Sequence, residues 1–401
     1  MNKETWYLFK RIMKGKLQSV PFYLFRIFPV KKRKIVFCCI EGTAGYSCNP
    51  KYIAEELIRR EEECEYVWLV DDITKQFPKE VKVVKNTLRN RAYHLTTAKI
   101  WIDNSRKQLE VRKRRGQIYI QTWHAKLGFK PTCLDRGKSF TRIAYLISQH
   151  DSEMIDYVLS NSKWYDDTLP TGMLYYGETL RFGSPRCDIL VNETEKMRAI
   201  VRELYDLPKD ARIIMYAPTF RGGSQNTERN IQVGGVELDY DGLIKALESK
   251  FGGRWYVMLR LHPQLTARQV HSGVEDMHNI KVIDISIVDD LYRILAGCDA
   301  FITDYSSAAF DAAVLKIPIF IYAEDYKEYQ RERGDLLWDF EKLPFGLSYD
   351  NDSLYSAVKM FEMNEYQRKL CKLFSETEMK EDGRASARTA DFICDRMRDG
   401  K

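Results

Sequence analysis

The run Ile302-Thr303-Asp304-Tyr305-Ser306-Ser307, followed by Asp311 and then by Ile317-Pro318-Ile319-Phe320-Ile321-Tyr322, has the residue types of an anion site. Apolar Phe301 and Ile302 end a strand. Ser306 and Ser307 fall where the first turn of a helix leaves backbone N–H groups unpaired. Free N–H donors, hydroxyls and the positive end of a helix dipole then meet at one point. In an open α/β sheet such a loop lies at the carboxyl edge of the strands, where ligands bind. The expectation is a chain that holds a phosphate-bearing molecule.

Other polar groups stand at predicted strand ends: Trp123-His124, Pro218-Thr219, and Arg260 with His262-Pro263. Strand ends of a doubly wound domain share one edge. His124 belongs to an earlier α/β unit and the others to a later one. A histidine on one wall of a cleft and phosphate-directed donors on the other suit group transfer from a phosphorylated donor. Imidazole titrates near neutral pH, and arginine offers charged donors to developing negative charge. A metal is not expected: no D-x-D ends a strand and no histidine pair has ligand spacing. Asp71-Asp72 and Asp289-Asp290 are adjacent acids, which point to opposite sides of a strand.

The elements that must position these residues alternate. Strands are predicted over 34–40, 66–70, 81–84, 100–103, 117–122 and 157–160, with helices from Asn49-Pro50 to Arg60 and over 88–98. Asn49 and Pro50 read as an N-cap and first helical residue, and Asn161 and Ser162 as another cap. Gly183-Ser184-Pro185-Arg186 punctuates the chain, and the pattern restarts. Strands are predicted over 212–216, 255–261, 281–285, 300–303 and 317–322. Helices are predicted over 240–250, 288–296 and 306–315, and from Ser353 onward. The polar, glycine-bearing stretch 221–235 reads as a mobile loop. Strand–helix alternation of this length implies parallel sheets covered by helices on both faces.

The 401 residues suffice for two or three domains, and 44% hydrophobic with 30% charged residues is a globular composition. Net charge is +6, but residues 1–34 hold ten Lys/Arg against Glu4 alone, leaving about −3 for the remainder. Aromatic and aliphatic residues (Trp6, Phe9, Ile12, Met13, Phe22, Phe25 among them) are interleaved with those cations. That pattern suits a segment lying in an anionic membrane interface; a helix packed on the body with a solvated basic face also accounts for it. The run Arg112-Lys113-Arg114-Arg115 is a solvated loop or a second contact with anionic lipid. Nucleic acid is not expected as a partner. No window is apolar enough to span a bilayer, and no signal peptide is evident. Nine scattered cysteines without C-x-x-C read as buried free thiols in a reducing compartment.

The ordered set Tyr46 to Tyr52, Gln121 to His124, Gly183 to Asp188, Tyr216 to Arg221, Arg260 to Pro263, and Ile302 to Ser307 with Asp311 resembles the CDP-glycerol glycerophosphotransferase family. This is the group of teichoic-acid primases, polymerases and capsule relatives. Asp325 to Tyr329 and Arg333-Gly334-Asp335 also resemble the family's ending. The match runs from about residue 35 to about residue 340. It implies an α/β, GT-B-like fold of two Rossmann-type domains facing a cleft. The expected division is a membrane-association segment (1–33), an acceptor-side domain carrying the base (34–187), a CDP-alditol-binding domain (188–385) and a helical tail (386–401).

By resemblance, His124 is the general base, and His262 with Arg260 stands at the donor pyrophosphate. Pro218, Thr219, Arg221, Thr303, Asp304, Ser306, Ser307 and Asp311 fall to the donor, with one of the two acids on the ribose. Asn49, Lys51 and Lys126 fall to the acceptor, although capping alone also explains Asn49. The family usually has glycine after the histidine, where this chain has Ala125, which bears on the acceptor. The implied reaction moves glycerol phosphate or ribitol phosphate from CDP-glycerol or CDP-ribitol to a hydroxyl of a lipid-linked saccharide or polymer, releasing CMP. It takes place at the cytoplasmic face of the membrane, with no cofactor and no obligatory metal. A homo-oligomer is left open. The alternatives are a GT-B glycosyltransferase using a nucleotide sugar and a membrane-bound module that binds without turnover.

Overall fold

The computed structural model describes residues 3–221, 232–233, 238–261 and 281–398. It falls into two compact units, one of residues 1–126, 131–188 and 379–401 and one of residues 127–130 and 189–378.

In the first unit, seven strands form one parallel sheet: β1 (Lys31–Cys38), β2 (Glu65–Val70), β3 (Val81–Lys85), β4 (Ala98–Asp103), β5 (Ile118–Gln121), β6 (Tyr157–Ser160) and β7 (Glu178–Arg181). Their order is β3-β2-β1-β4-β5-β6-β7, so the winding reverses between β1 and β4. The register aligns the strand ends there: Cys38 lies opposite Asp103, and Asp103 opposite Gln121. Successive side chains of a strand face opposite ways. Val36 and Cys38 therefore join a core with Trp101, Tyr119 and Phe22, while Ile35, Phe37 and Cys39 join another with Ile53, Trp68 and Ile102. Burial on both faces is why residues 35–39 read as a continuous apolar run.

The C-terminal helix Ala385–Arg398 adds Ala390, Ile393, Cys394 and Met397 to the second of these cores. Expected as a separate tail, it is an integral layer of the first unit. The N-terminal helix Lys3–Gln18 packs through Leu8, Ile12 and Gly15. A Cβ on Gly15 would stand 2.8 Å from Leu109 Cβ, so glycine is what permits this approach. Phe22 is fully buried, which ties the following segment into the core. No described helix is long and apolar enough to cross a membrane.

The second unit holds β8 (Arg212–Ala217), a hairpin of β9 (Phe220–Arg221) and β10 (Gln232–Val233), then β11 (Trp255–Leu259), β12 (Val282–Asp284), β13 (Ala300–Thr303), β14 (Ile319–Tyr322) and β15 (Gly346–Ser348). Its parallel sheet runs β12-β11-β8-β13-β14-β15, reversing between β8 and β13, with Ala217 opposite Thr303. The hairpin is antiparallel and apart from that sheet. Most of the stretch expected as a mobile loop lies outside the described residues, as do His262 and Pro263.

Local signals explain several boundaries. Ser162 accepts from the Tyr165 N–H at 3.1 Å and opens the helix Lys163–Gly172, as its sequence position predicts. The expected cap at Asn49 is not where its helix begins. That helix spans Cys48–Arg59 with Ser47 at the cap position, because the Ser47 carbonyl already accepts from the Lys51 N–H at 3.4 Å; Cys48 itself takes a left-handed φ of 58°. Strands β7 and β15 and the helix Arg142–Ser152 were not anticipated. β7 buries only Leu180 fully, which leaves too little alternation to read.

Candidate active site

In the first unit His124 follows β5, beside the point where the winding reverses. Its Nδ1 lies 2.7 Å from the backbone carbonyl of Asn104, which follows β4. A carbonyl only accepts, so Nδ1 carries the proton and donates, and Nε2 keeps a lone pair. Burial is the main cause holding the imidazole below its ordinary value of 6.5, although the Asn104 carbonyl opposes it. The ring is therefore neutral at pH 7, in the state a proton acceptor needs.

The sequence places His124 here only because several buried groups force the turn. Trp123 has a left-handed φ of 48°, unusual for a bulky residue. Its N–H donates to Gln121 Oε1 at 2.9 Å, and its carbonyl accepts from Asn49 Nδ2 at 2.8 Å. Gln121 donates in turn to the Tyr119 hydroxyl at 2.8 Å, which donates to Asp151 Oδ1 at 3.1 Å. Asp103, at the end of β4, takes the Ser105 N–H and hydroxyl and pairs with buried Lys107. Asn104 Oδ1 accepts from the Ile40 N–H at 2.7 Å, so the loops after β1, β4 and β5 are laced together. Ile40, Glu41, Cys48 and Trp123 all have positive φ. At roughly 1–3 kcal/mol each, such strain persists only where surroundings over-determine it, and it concentrates at functional sites.

Of the residues assigned to the acceptor, Asn49 is fully buried and acts as a bridge. Besides Trp123 it takes the Arg186 N–H on Oδ1 at 3.2 Å. Lys51 is buried, 3.9 Å from Glu55 and over the rings of Tyr46 and Tyr52. Lys126 is buried too and donates to the Gly183 carbonyl at 2.8 Å. It faces Glu381, whose carboxyl burial pushes up to about 7. These three side chains hold the framework of the first unit. Sequence reasoning missed Asn104, Gln121 and Arg186 as supports of His124; the readable signal was that each stands at a strand end or inside a quoted motif.

In the second unit the loops after β8, β11 and β13 come together at the second reversal point. Both Asp304 carboxylate oxygens accept from the Thr219 N–H, at 2.9 and 3.0 Å, and Oδ2 also takes the Thr219 hydroxyl at 3.0 Å. The Tyr305 N–H donates to Oδ1 as well. Thr303, wholly buried, donates its hydroxyl to the Ala217 carbonyl at 2.6 Å. Pro218 lies between these anchored residues. Asp311 accepts from the Tyr292 hydroxyl at 2.6 Å. Asp304 and Asp311 thus turn to different partners.

Ser306 and Ser307 remain half-buried at the loop's surface. The helix begins at Ala308, two residues later than expected, and spans only Ala308–Ala312; Ser307 at its cap position makes no side-chain capping bond. Arg260 is buried and donates through Nη1 to the carbonyls of Ser286 and Ile285. Among the described residues these bonds engage Nη1 alone, so Nε and Nη2 have donors to offer an anion. Arg221 closes β9. Residues 127–130 count with this unit, where Phe129 packs on Phe310 and Phe340 with ring centroids 4.8 Å apart in each pair. A cavity of about 1350 Å³ bordered by Arg202, Arg212, Trp255 and Pro318 lies at the opposite strand edge, away from these loops. Among the described residues, no three His, Cys, Asp or Glu side chains form a metal-binding group.

Known proteins share this organisation. A wall teichoic acid polymerase, TagF, superposes with a TM-score of 0.80 over 100% of this chain and 99% of its own at 26% identity, in a histidine-variant crystal soaked with CDPG. Its match supports a GT-B-like pair of parallel-sheet domains. The teichoic acid poly(glycerol phosphate) polymerase of Staphylococcus epidermidis is 28% identical over 91% of this chain and 51% of its own length. The teichoic acid ribitol-phosphate primase of Bacillus spizizenii is 31% identical over 75% of this chain and 76% of its own. The chain spans about half the length of the first two polymerases it matches. A family model described as CDP-Glycerol:Poly(glycerophosphate) glycerophosphotransferase matches residues 21–395, nearly the whole chain. With both reversal-point sites in place and relatives of both glycerol and ribitol type, the chain belongs to the CDP-glycerol:poly(glycerophosphate) glycerophosphotransferase family.

Proposed function

We propose that the chain transfers glycerol phosphate or ribitol phosphate from the CDP-alditol to a hydroxyl of a lipid-linked saccharide or growing polymer. The acceptor oxygen bonds to the β-phosphorus, its proton passes to His124 Nε2, and the bond from that phosphorus to the bridging oxygen breaks, so that CMP leaves. Arg260, Ser306 and Ser307 meet the negative charge on the donor phosphates, with His262 assigned beside them. Thr219, Thr303, Asp304 and Asp311 shape that loop from beneath. The observation that carries the reading is the Asn104 carbonyl on His124 Nδ1. It leaves a neutral nitrogen available as base. No metal is required in this scheme.

CMP release from CDP-glycerol and from CDP-ribitol, with a lipid-linked disaccharide acceptor and EDTA present, tests the proposal. Acceptor-dependent CMP from either donor supports it and identifies the alditol. Transfer of a labelled sugar without phosphorus would instead establish the glycosyltransferase alternative. The lowered basicity of His124 also sets a pH expectation. Only the neutral ring accepts a proton, so a depressed pKa keeps the base available in mild acid. The acidic limb of kcat/KM should therefore lie below pH 6.5. A limb above 6.5 would contradict the assignment.

The same reading places the enzyme on an anionic membrane surface. Trp6, Phe9, Met13 and Leu17 are exposed along the N-terminal helix, beside Lys10, Lys14 and Lys16. Arg114 donates to the Phe28 carbonyl at 2.7 Å, and Arg112 to the Tyr23 hydroxyl at 3.2 Å. This joins the basic run 112–115 to the same aromatic segment. Replacing Trp6, Phe9 and Leu17 by serine should lower co-sedimentation with anionic vesicles about tenfold or more, since each exposed apolar side chain is worth roughly 1–3 kcal/mol when buried. Thermal stability should hardly change. Equal sedimentation of variant and parent would remove the anchor. These substitutions are preferable to deleting residues 1–28, which would also remove buried Phe22.

A further inference from the structure

Two thiols outside the proposed chemistry stand beside His124. Cys39 follows β1, and Cys48 opens the helix Cys48–Arg59; Cys39 Sγ lies 3.5 Å from the hydroxyl oxygen of Ser47, the residue just before Cys48. Asn104 Nδ2 donates to Cys39 Sγ at 3.1 Å, and the carbonyl of the same Asn104 holds His124. Arg186 Nη1 donates to Cys48 Sγ at 3.2 Å. The residue after Cys48 is Asn49, which bridges to Trp123. The two thiols, a guanidinium, Asn104 and the imidazole thus form one cluster drawn from four loops. Cys39 is fully buried, whereas Cys48 is partly exposed.

We propose that Cys48 and Cys39 form a thiol switch, in which the Cys48 sulfur attacks peroxides and soft electrophiles and Cys39 resolves the oxidised product. The surroundings favour the anionic sulfur at Cys48. The neighbouring Cys39 is the largest influence, and the Arg186 and Asn104 donors add to it against burial. Burial pushes the Cys39 thiol up, so Cys39 stays protonated as the partner. The charge of His124 is also felt by Cys48. In the first step the Cys48 sulfur takes one oxygen from hydrogen peroxide; the O–O bond breaks, and hydroxide leaves and is protonated to water. In the second, the Cys39 sulfur displaces the hydroxyl of the resulting sulfenic acid, forming the disulfide and releasing a second water. Two electrons pass from sulfur to peroxide overall. Drawing Cys39 and Cys48 into a bond disturbs the Asn104 and Asn49 contacts that hold His124. That consequence rests on the proposed role of His124, whereas the thiol chemistry does not.

The test uses the full chain and iodoacetamide as the probe. Residues 35–51 form a single tryptic peptide holding Cys38, Cys39 and Cys48, and exposed Cys371 serves as an internal reference. Between pH 8 and pH 6 alkylation of an ordinary thiol falls by about 100-fold, as its thiolate fraction does. Alkylation of Cys48 should fall less than about threefold. Hydrogen peroxide should then remove two hydrogens from peptide 35–51, reversibly by dithiothreitol, in Cys38→Ala but not in Cys39→Ala or Cys48→Ser. Parallel loss of labelling at Cys48 and Cys371, or three free thiols in peptide 35–51 after peroxide, would overturn the switch. CMP release measured on the same samples keeps the two readings apart. A disulfide that forms without loss of turnover would refute control at His124 while leaving the thiol chemistry standing.

Discussion

Replacing His124 with alanine is expected to lower acceptor-dependent CMP release by about 10³-fold, within the range of roughly 10²–10⁴ for loss of a general base. Donor binding should survive, because the groups assigned to the phosphates lie in the second unit. The physical basis is specific. A carbonyl on Nδ1 fixes the tautomer, and burial keeps the ring neutral. His124→Gln is the sharper variant, since an amide retains hydrogen-bonding groups but cannot accept the proton. Single-turnover CMP release together with equilibrium CDP binding separates the outcomes. Turnover equal to the parent would dismiss the base assignment, and lost CDP binding would turn His124 into a donor contact.

Asp304→Ala is expected to destabilise the second unit by about 3–5 kcal/mol, through three buried donors losing one charged acceptor. Those donors are the Thr219 N–H, the Thr219 hydroxyl and the Tyr305 N–H. For a unit of this size, that is a fall of about 10 °C or more in its melting temperature. Asp304→Asn should be milder, since one carbonyl oxygen remains to accept while the amide N–H₂ opposes the other donor. Calorimetry without nucleotide is the measurement. An unchanged melting temperature with weakened CDP binding would show that Asp304 contacts the donor and is not a support beneath the loop.

Many elements were legible because each carries a local signal. β6 and β13 form at their expected bounds, and β1, β2, β8 and β11 within a few residues, since strands buried on both faces are unbroken apolar runs between turn residues. The ordered motifs carried the family. Less legible were elements whose stability is not local. β7 and β15 are edge strands of three or four residues. The C-terminal helix looks like a charged tail until Ala390, Ile393, Cys394 and Met397 are seen against the core built around β1.

Two doubly wound units, the strand-end positions of His124, Arg260 and the 303–307 loop, and the family resemblance could all be read from residue order. Residue type and spacing suffice for these, because apolar periodicity and turn chemistry act within a few residues. The partners of the polar side chains there came from the fold. Asn49 reads as a cap but bridges Trp123 and Arg186, and Lys126, assigned to the acceptor by resemblance, donates to the Gly183 carbonyl. Asp304, assigned to the donor by resemblance, holds Thr219. Cys48 meets Arg186, 138 residues later in the chain. A buried polar group must find a partner wherever the fold brings one, and partners so distant in the chain leave no mark in local sequence.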